Sequence, residues 1–456
     1  MKPMKQLFAL SCLVLGLLSG CATNDSPVAV AESTIRTEPA AIAEVAVPAE
    51  PAAVAAPVAA VEPAVGAVAF YRESLHVLDA VKAYQPEIQK SAEQAAALYC
   101  DPDDDLGIAS EGSAVFYGEL VGRSGGVMSI GAWWPRERKF RGVLLYCLRG
   151  PKHYDADLKD IAFFNDLGCK TYILGPESLV EKALQDGAQC VGTLIIPNSA
   201  VAGVSTYDFA SVAIGWTWTC EFVAACTRNG KMPVMFQSIM VPTGMDRIKR
   251  NEVTPPTSQR MYRKFEPETI PPIAAGKLGG EWLAIARKRL ETLYNNDLEN
   301  IRAAARTAAD VQANGGTLYL SSYTHVLGHI PSSEFNPQHF GRLPHIPKPG
   351  EAVPEGTKTI GANDFILGIG YNDLEWDLTR VEHFRKSGAK IAWSSTTFNP
   401  KRTRPVAGEI FIAQPWDYGD ADVVVPGYDV KMGPTSGLIA LEIYKMINAE
   451  INAIKK

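Results

Sequence analysis

The chain has 456 residues and a formal net charge of −6, with 44 Lys and Arg set against 50 Asp and Glu and no basic run or basic face. That balance excludes a protein built around nucleic-acid binding, for which clustered positive charge is the electrostatic footprint. The length exceeds what one hydrophobic core usually serves, so the globular part is expected to be organised in two halves.

The N-terminus carries Lys2 and Lys5, then an apolar run from Leu7 to Leu18 that is too short to span a bilayer, then Ser19-Gly20-Cys21. A charged start, a greasy centre and a small residue before cysteine resemble the lipobox of bacterial lipoproteins. The resemblance implies a signal over residues 1–20, lipidation at Cys21, attachment to a membrane through that lipid, and a place in the bacterial cell envelope. Ala22 rather than Asp after the cysteine favours the outer membrane. Residues 21–70 are rich in Ala, Val, Pro and Glu with almost no aromatics. Such a segment buries too little surface to offset its ordering entropy and reads as an extended tether.

Beyond the tether a helical stretch covers Ser74 to Tyr99, and short apolar runs follow at Leu106 to Ser110, Val143 to Leu148, Lys170 to Leu174 and Val191 to Pro197. Asp155 to Leu167 and Glu177 to Gln185 show helical spacing between them, and Ser211 to Arg228 closes the half as a long apolar helix. Non-alternating strands between helices predict a parallel sheet covered on both faces. After a Pro-rich link, residues 233–280, the order recurs: a helix over Glu281 to Ala313, strands at Thr317 to Ser321, Phe365 to Ile369, Lys390 to Ser394 and Asp422 to Val425, and helices over Asp373 to Lys386 and Thr435 to Ile454. The fold class is therefore α/β, with two doubly wound, flavodoxin-like units over 71–232 and 281–456.

Ligands of such sheets bind past the carboxyl ends of the strands. There the first half shows Ser110-Glu111-Gly112-Ser113-Ala114, followed by Glu119-Leu120-Val121-Gly122-Arg123. The second half shows Asn314-Gly315-Gly316, Gly388-Ala389-Lys390 and Gly433-Pro434-Thr435-Ser436. This order resembles the sugar isomerase (SIS) domain, in tandem and divergent, with a phosphoheptose-isomerase-like loop in the first half. The resemblance implies a sugar or sugar-phosphate ligand, possible association of like chains, and no cofactor. Hydroxyls, backbone N–H groups and helix N-termini would hold the ligand: Ser110 and Ser113, with Arg149 and Lys152, in the first half, and Ser321, Ser322, Thr324, Ser394, Ser395, Thr435 and Ser436 in the second. The Ser-rich phosphate loop expected after the second strand is missing from both halves, replaced by Leu148-Arg149-Gly150-Pro151 and Gly368-Ile369-Gly370-Tyr371-Asn372.

Isomerisation needs a base and a ring-opening acid. Glu119 aligns with the family's helix base, and His325 is the histidine candidate, although a Glu four residues before Arg123 also reads as a helix ion pair. His325, His329, His339 and His345 crowd one loop-rich segment. They read as metal ligands, as ring openers or as solvated loop residues, and no metal site is assigned. The insert from Ile330 to Thr359 reads as a lid. Trp133, Trp134, Trp216, Trp218, Trp376 and Trp416 read as core or as a sugar-stacking surface. The six cysteines from Cys100 to Cys226 include no CxxC pair, which argues against a Cys metal site, and their spacing leaves any disulfide pairing open. Three functions stay open on the sequence: sugar binding, sugar isomerisation, and a structural envelope role.

Overall fold

The computed structural model describes residues 66–455 apart from 104–106, 132–141, 254–260, 323, 331–332, 334, 336–338, 345–358, 371–374, 399–403 and 418, and apart from the side chains of 261 and 375–379. Residues 1–65, with the expected signal, Cys21 and most of the tether, lie outside this set, as do Trp133, Trp134 and His345.

The described residues form one compact unit. Helices α1 (Ala67–Ala83) and α2 (Gln85–Cys100) precede β1 (Gly107–Gly112), α3 (Ala114–Leu120), β2 (Ile130–Gly131), β3 (Gly142–Cys147), α4 (Tyr154–Asp166), β4 (Lys170–Gly175), α5 (Glu177–Gln185) and β5 (Gly192–Ile195). A small hairpin, β6 (Ala200–Val201) and β7 (Val204–Ser205), leads into α6 (Tyr207–Arg228). The link holds α7 (Gly244–Asn251) and a second small hairpin, β8 (Glu252–Val253) and β9 (Met261–Tyr262). Then come α8 (Lys277–Ala313), β10 (Leu318–Ser322), β11 (Gly341–Arg342), β12 (Phe365–Ile369), α9 (Glu375–Ser387), β13 (Lys390–Thr396), β14 (Ile410–Gln414) and α10 (Ser436–Ile454).

Both large sheets are five-stranded and parallel, in the orders β2-β1-β3-β4-β5 and β11-β10-β12-β13-β14. The same topology is thus written twice, as the repeated element order predicts. In each sheet the strand order reverses beside the first strand, which is where doubly wound folds open their ligand crevices.

Some expectations shift. The single helix expected over Ser74 to Tyr99 is two, broken at Tyr84 because Pro86 has no N–H to bond the carbonyl of Lys82. The strand expected at Asp422 to Val425 makes only an isolated bridge, Val423 to Met432, and Val424 is exposed; the fifth strand is instead Ile410–Gln414. The brief link-region structure in α7, β8 and β9 was not legible in its Pro-rich sequence.

The two halves share one core because their helices are exchanged. Leading helix α1 packs on closing helix α10 of the other half, where Ala67 N–H donates to Glu450 at 2.8 Å and Ser74 Oγ to Glu442 at 2.7 Å. Reciprocally, α8 begins against α6, where Glu221 accepts the N–H groups of Gly276 at 2.8 Å and Gly279 at 3.0 Å. Glu221 and Glu450 are each the fifteenth residue of their closing helices. A carboxylate at a helix N-terminus satisfies orphan donors and meets the positive end of the dipole, so the duplicated position does the same work twice. Helix α6 is the one described helix apolar and long enough to cross a membrane, and it is wholly buried; its apolar character all round is that of a core helix.

Candidate functional site

At the carboxyl edge of the first sheet, α3 sets Glu119 and the turn after it sets Arg123 against the start of α10. Trp216 Nε1, from α6, donates to Glu119 Oε1 at 3.0 Å. Arg123 Nη2 reaches Glu119 Oε1 at 3.3 Å, Asp420 Oδ2 at 3.0 Å and Ser436 Oγ at 2.8 Å, and Ser436 Oγ donates to Asp420 at 2.7 Å. One guanidinium therefore ties a carboxylate of the first half to an aspartate and a helix-start serine of the second. Asp420 takes the left-handed backbone (φ 50°), a conformation that Asp tolerates and that fixed surroundings maintain.

The network is sealed. Glu119 is 0% and Arg123 3% exposed. A Cβ on Gly437 would lie 2.4 Å from both Glu119 oxygens, so the carboxylate rests directly on the first turn of α10. Burial pushes the Glu119 carboxyl up to about 7, against the opposing pull of Arg123 and Trp216. Its Oε2 accepts no hydrogen bond.

His325 and His329 arrive from the other half on the loop after β10. A Cβ on Gly118 would fall 2.6 Å from the His329 ring and 2.8 Å from the His325 carbonyl, so a missing side chain on α3 lets the loop lie down one residue from Glu119. His325 itself is exposed. The structure thus brings the two expected catalytic residues into one neighbourhood but not into one open cleft: the carboxylate is closed in and the imidazole is outside.

The insert after β10 is a wedge rather than a free lid over its described length. Val326, Leu327, Ile330 and Phe340 are buried, Ser333 Oγ donates to Asp208 at 3.1 Å, and Phe335 meets Tyr207 with ring centroids 4.0 Å apart. His339 bonds Asn452 at 2.5 Å. The rest of the expected lid, 345–358, lies outside the described residues. Asp208 also takes the ammonium of Lys445 at 3.2 Å, a fully buried pair between α6 and α10.

Most expected ligand donors are spent inside the protein. Arg149 does not wait for a phosphate: its Nε lies 2.5 Å from Asp157 and its Nη2 2.7 Å from Asp160, both on α4. Lys152 is exposed on the turn before α4. Ser322 and Thr324 hydrogen bond each other at 3.0 Å, and Thr324 accepts the N–H of Leu327, which makes them turn formers. Ser394 accepts from Gln414, and Thr435 donates to Asp422 at 2.7 Å. Ser113 is buried at the head of α3, and Ser110, Ser321 and Ser395 are buried with hydroxyls that have no hydrogen-bond partner. Trp216, Trp218 and Trp416 are buried, so they are core and not a stacking surface. Among the described residues no group of three His, Cys, Asp or Glu is placed to hold a metal.

An open cleft of about 430 Å³ lies elsewhere on a carboxyl edge, past β13 and β14 and against α8. Phe398, 57% exposed, stands on its rim, with Thr397 beside it and Asn296 and Lys288 facing from α8. The rim is built: Thr396 Oγ1 donates to Trp416 O at 2.5 Å and accepts the N–H of Phe398 at 3.3 Å. Arg289 lines the same cleft but is held by Asp422 at 2.7 Å and Asp417 at 3.1 Å. Phe398, Asn296 and Lys288 carried no motif that sequence reading could single out, and Thr397 lies just past the observed strand β13.

No protein-family model matches the chain, and no curated protein matches it. Solved structures align over most of its length. One described as a sugar-binding protein, from Salmonella typhimurium LT2, shares 10% identity at a TM-score of 0.46, covering 85% of this chain and 99% of its own. The C-terminal domain of glucosamine-fructose-6-phosphate aminotransferase from Francisella tularensis shares 11% at 0.43, covering 83% and 96%. One described as a phosphosugar isomerase, from Silicibacter pomeroyi DSS-3, shares 12% at 0.45, covering 85% and 98%.

Proposed function

We propose that this chain is a lipid-anchored protein of the bacterial envelope that binds a sugar derivative, without turnover, in the cleft past β13 and β14. The observation that carries the reading is the contrast between two carboxyl edges. The edge with the expected catalytic residues is closed, whereas the cleft in the second half is open and of a size suited to a small ligand. It offers what a sugar needs: an exposed phenyl ring for the apolar face, and amide, hydroxyl and ammonium groups for the hydroxyls. Arg289 is already neutralised by two carboxylates, which favours a neutral, amino or singly charged sugar over a doubly charged phosphate. The anchoring part rests on the sequence of residues 1–21.

A ligand that binds only the folded state raises its melting temperature. The test is a thermal-shift screen with neutral sugars, amino sugars, sugar phosphates and muropeptide fragments. At least one sugar should raise the melting temperature of the parent, and Phe398→Ala and Asn296→Ala, both at exposed positions, should remove most of that shift. No shift with any sugar, or a shift that survives both substitutions, overturns the reading. Loss of lipid labelling in Cys21→Ser tests the anchor.

One observation favours a second reading, an isomerase-type enzyme. Glu119, with its pKa near 7 and an oxygen that accepts no hydrogen bond, has the properties of a general base once the loop bearing His325 moves aside. Proton exchange at a sugar carbon, followed by NMR in deuterated water and abolished by Glu119→Gln, would support it; no exchange in the parent rejects it.

A further inference from the structure

The link between the halves gathers exposed apolar residues on one outer surface. Of the ten large apolar side chains that stand exposed among the described residues, three fall between residues 239 and 253: Ile239 at 52%, Met245 at 40% and Val253 at 50%. Helix α7 turns Gly244, Arg247 and Asn251 inward, which leaves Met245 and Lys249 on one outward stripe and Asp246 and Arg250 on the next. Ile239 stands at the head of that helix, where a Cβ on Gly244 would meet its Cα at 3.1 Å. At the other end Val253 pairs with Met261 and Glu252 with Tyr262. Tyr262 packs inward on Phe236, ring centroids 5.2 Å apart, so the alternation of a strand turns Val253 outward. Arg263, exposed, is set beside the end of α7 by its N–H, which donates to Asn251 O at 2.8 Å.

This surface is pinned from beneath. Buried Arg247 donates to Met235 O at 3.1 Å, to the two oxygens of Asp429 at 3.1 and 2.9 Å and to Glu266 at 2.7 Å. Ile248 and Tyr262 pack on Met128, Val234 and Phe236. A segment so held cannot fold its apolar tips away, and a fixed exposed apolar cluster marks a contact surface. Its charge also departs from that of the rest of the protein. Lys249, Arg250 and Arg263 are exposed, and no carboxylate among the described residues pairs with them. Surface cations elsewhere, Arg228, Lys182 and Arg385, are matched by Glu93, Asp186 and Glu409. The acids nearby are Asp246, in the first turn of α7, and Glu252, on the inward side of the hairpin with Tyr262. In a chain of net charge −6 this is a local positive excess. No basic run announces it in the sequence, because the cations are spaced by other residues and meet only through the fold.

We propose that this surface docks on an anionic lipid bilayer, with Ile239, Met245 and Val253 among the acyl chains and Lys249, Arg250 and Arg263 on lipid phosphates. The choice of a bilayer rests in part on the reading of the chain as lipid-anchored, and mainly on the residues themselves. Protein interfaces centre on Trp, Tyr and Arg seated in pockets and are depleted in Lys. Here the exposed tips are aliphatic and the neighbouring cations uncommitted, which is the composition of an interfacial helix. The acyl anchor would hold the chain near the leaflet on its tether; this surface would bring the globular part down and fix its orientation. Attraction of the cations to an anionic leaflet falls off within a Debye length, so the contact is salt-sensitive.

The test uses the chain from Ala22 onward, which keeps every described residue and lacks both the apolar run and the acylated cysteine. It is sedimented with vesicles of phosphatidylglycerol and phosphatidylethanolamine and, separately, of phosphatidylcholine. Binding should favour the anionic vesicles and weaken in about 0.5 M salt. Lys249→Gln with Arg250→Gln should weaken it roughly 30-fold, the attraction of two cations to such a leaflet. Ile239→Ser with Met245→Ser should weaken it about tenfold or more. All four positions are exposed, so both variants should melt with the parent. No binding by the parent, equal binding to both vesicle types, or binding that neither pair of substitutions weakens overturns the proposal. Retention on DNA in place of vesicles, or self-association abolished by Ile239→Ser with Met245→Ser, overturns it equally and assigns the surface to that partner. Lipid labelling at Cys21 tests the anchor separately, so either can fail while the other stands.

Discussion

Replacing Glu119 by Gln keeps the size of the side chain and an oxygen for Trp216 but removes its ionisation. In the folded protein burial raises the Glu119 pKa from 4.5 to about 7. The folded state therefore binds this proton more tightly than the unfolded state, so the group stabilises the fold at low pH, and that contribution is lost as pH rises from about 4.5 through 7. At about 1.4 kcal/mol per unit, the loss between about pH 5 and pH 8 is roughly 2.5 kcal/mol. Arg123 keeps Asp420 and Ser436 in the variant, so the network retains its second anchor. Denaturant unfolding of parent and Glu119→Gln at both pH values measures the difference directly: the parent should lose about 2.5 kcal/mol more than the variant over this window. Identical pH dependence in the two proteins would mean that Arg123 compensates burial fully and holds Glu119 ionised, and the account of the junction given above would be wrong.

Glu442, pushed up to about 8 by burial against its Ser74 and Lys445 partners, has the same sign over a wider window, so Glu442→Gln should flatten the fall in melting temperature between about pH 5 and pH 9. Lys445→Met strands Asp208 in the core and should cost on the order of 3 to 5 kcal/mol in denaturant unfolding, most of it recovered in Asp208→Asn with Lys445→Met. Cooperative unfolding of that double variant no better than the single would show that the pair is not coupled. Gly437→Ala places a methyl 2.4 Å from the Glu119 carboxylate and should destabilise the fold by about 1 kcal/mol or more in denaturant unfolding, whereas an unhindered Gly→Ala change inside a helix would stabilise it by roughly 0.5 to 1 kcal/mol.

The repeated sheet was legible because buried parallel strands read as bare apolar runs, and Val143 to Leu148, Lys170 to Leu174 and Phe365 to Ile369 fall within a residue or two of the strands formed. Ile410–Gln414 was missed for a competing signal: the apolar cluster at Val423 to Val425 looks stronger in one dimension but has no neighbour strand to bond. For the site, residue types were readable and allegiances were not. Arg149 looked like a phosphate ligand because Asp157 and Asp160, eight and eleven residues on, look like ordinary helix-surface acids until the helix folds back over the loop. Glu119 and Arg123 carried the helix spacing of an ion pair, but nothing local announced Asp420, almost three hundred residues away, as the third member. Phe398 was invisible because an aromatic after a strand is core by default.

The closed junction and the open cleft occupy different places on their sheets, and the helix packing accounts for the first. The first helix of each half meets the closing helix of the other, and the starts of α6 and α10 are themselves buried in the shared core, so whatever stands there is desolvated. In a duplicated fold the polar groups at those two starts must then satisfy one another, and they do so in unlike ways: Arg123 with Asp420 and Ser436 at the head of α10, Lys445 with Asp208 at the head of α6. Groups so committed are costly to separate, because each partner left behind is a buried unpaired charge. A ligand that had to open this junction would need binding energy to replace those pairs, whereas one entering beside Phe398 displaces only water. The cleft past β13 and β14 lies instead at the far end of its sheet from β10, on the side of α8 that bears Lys288, Thr292 and Asn296, whereas α1 of the other half meets α8 through Tyr294 and Arg287.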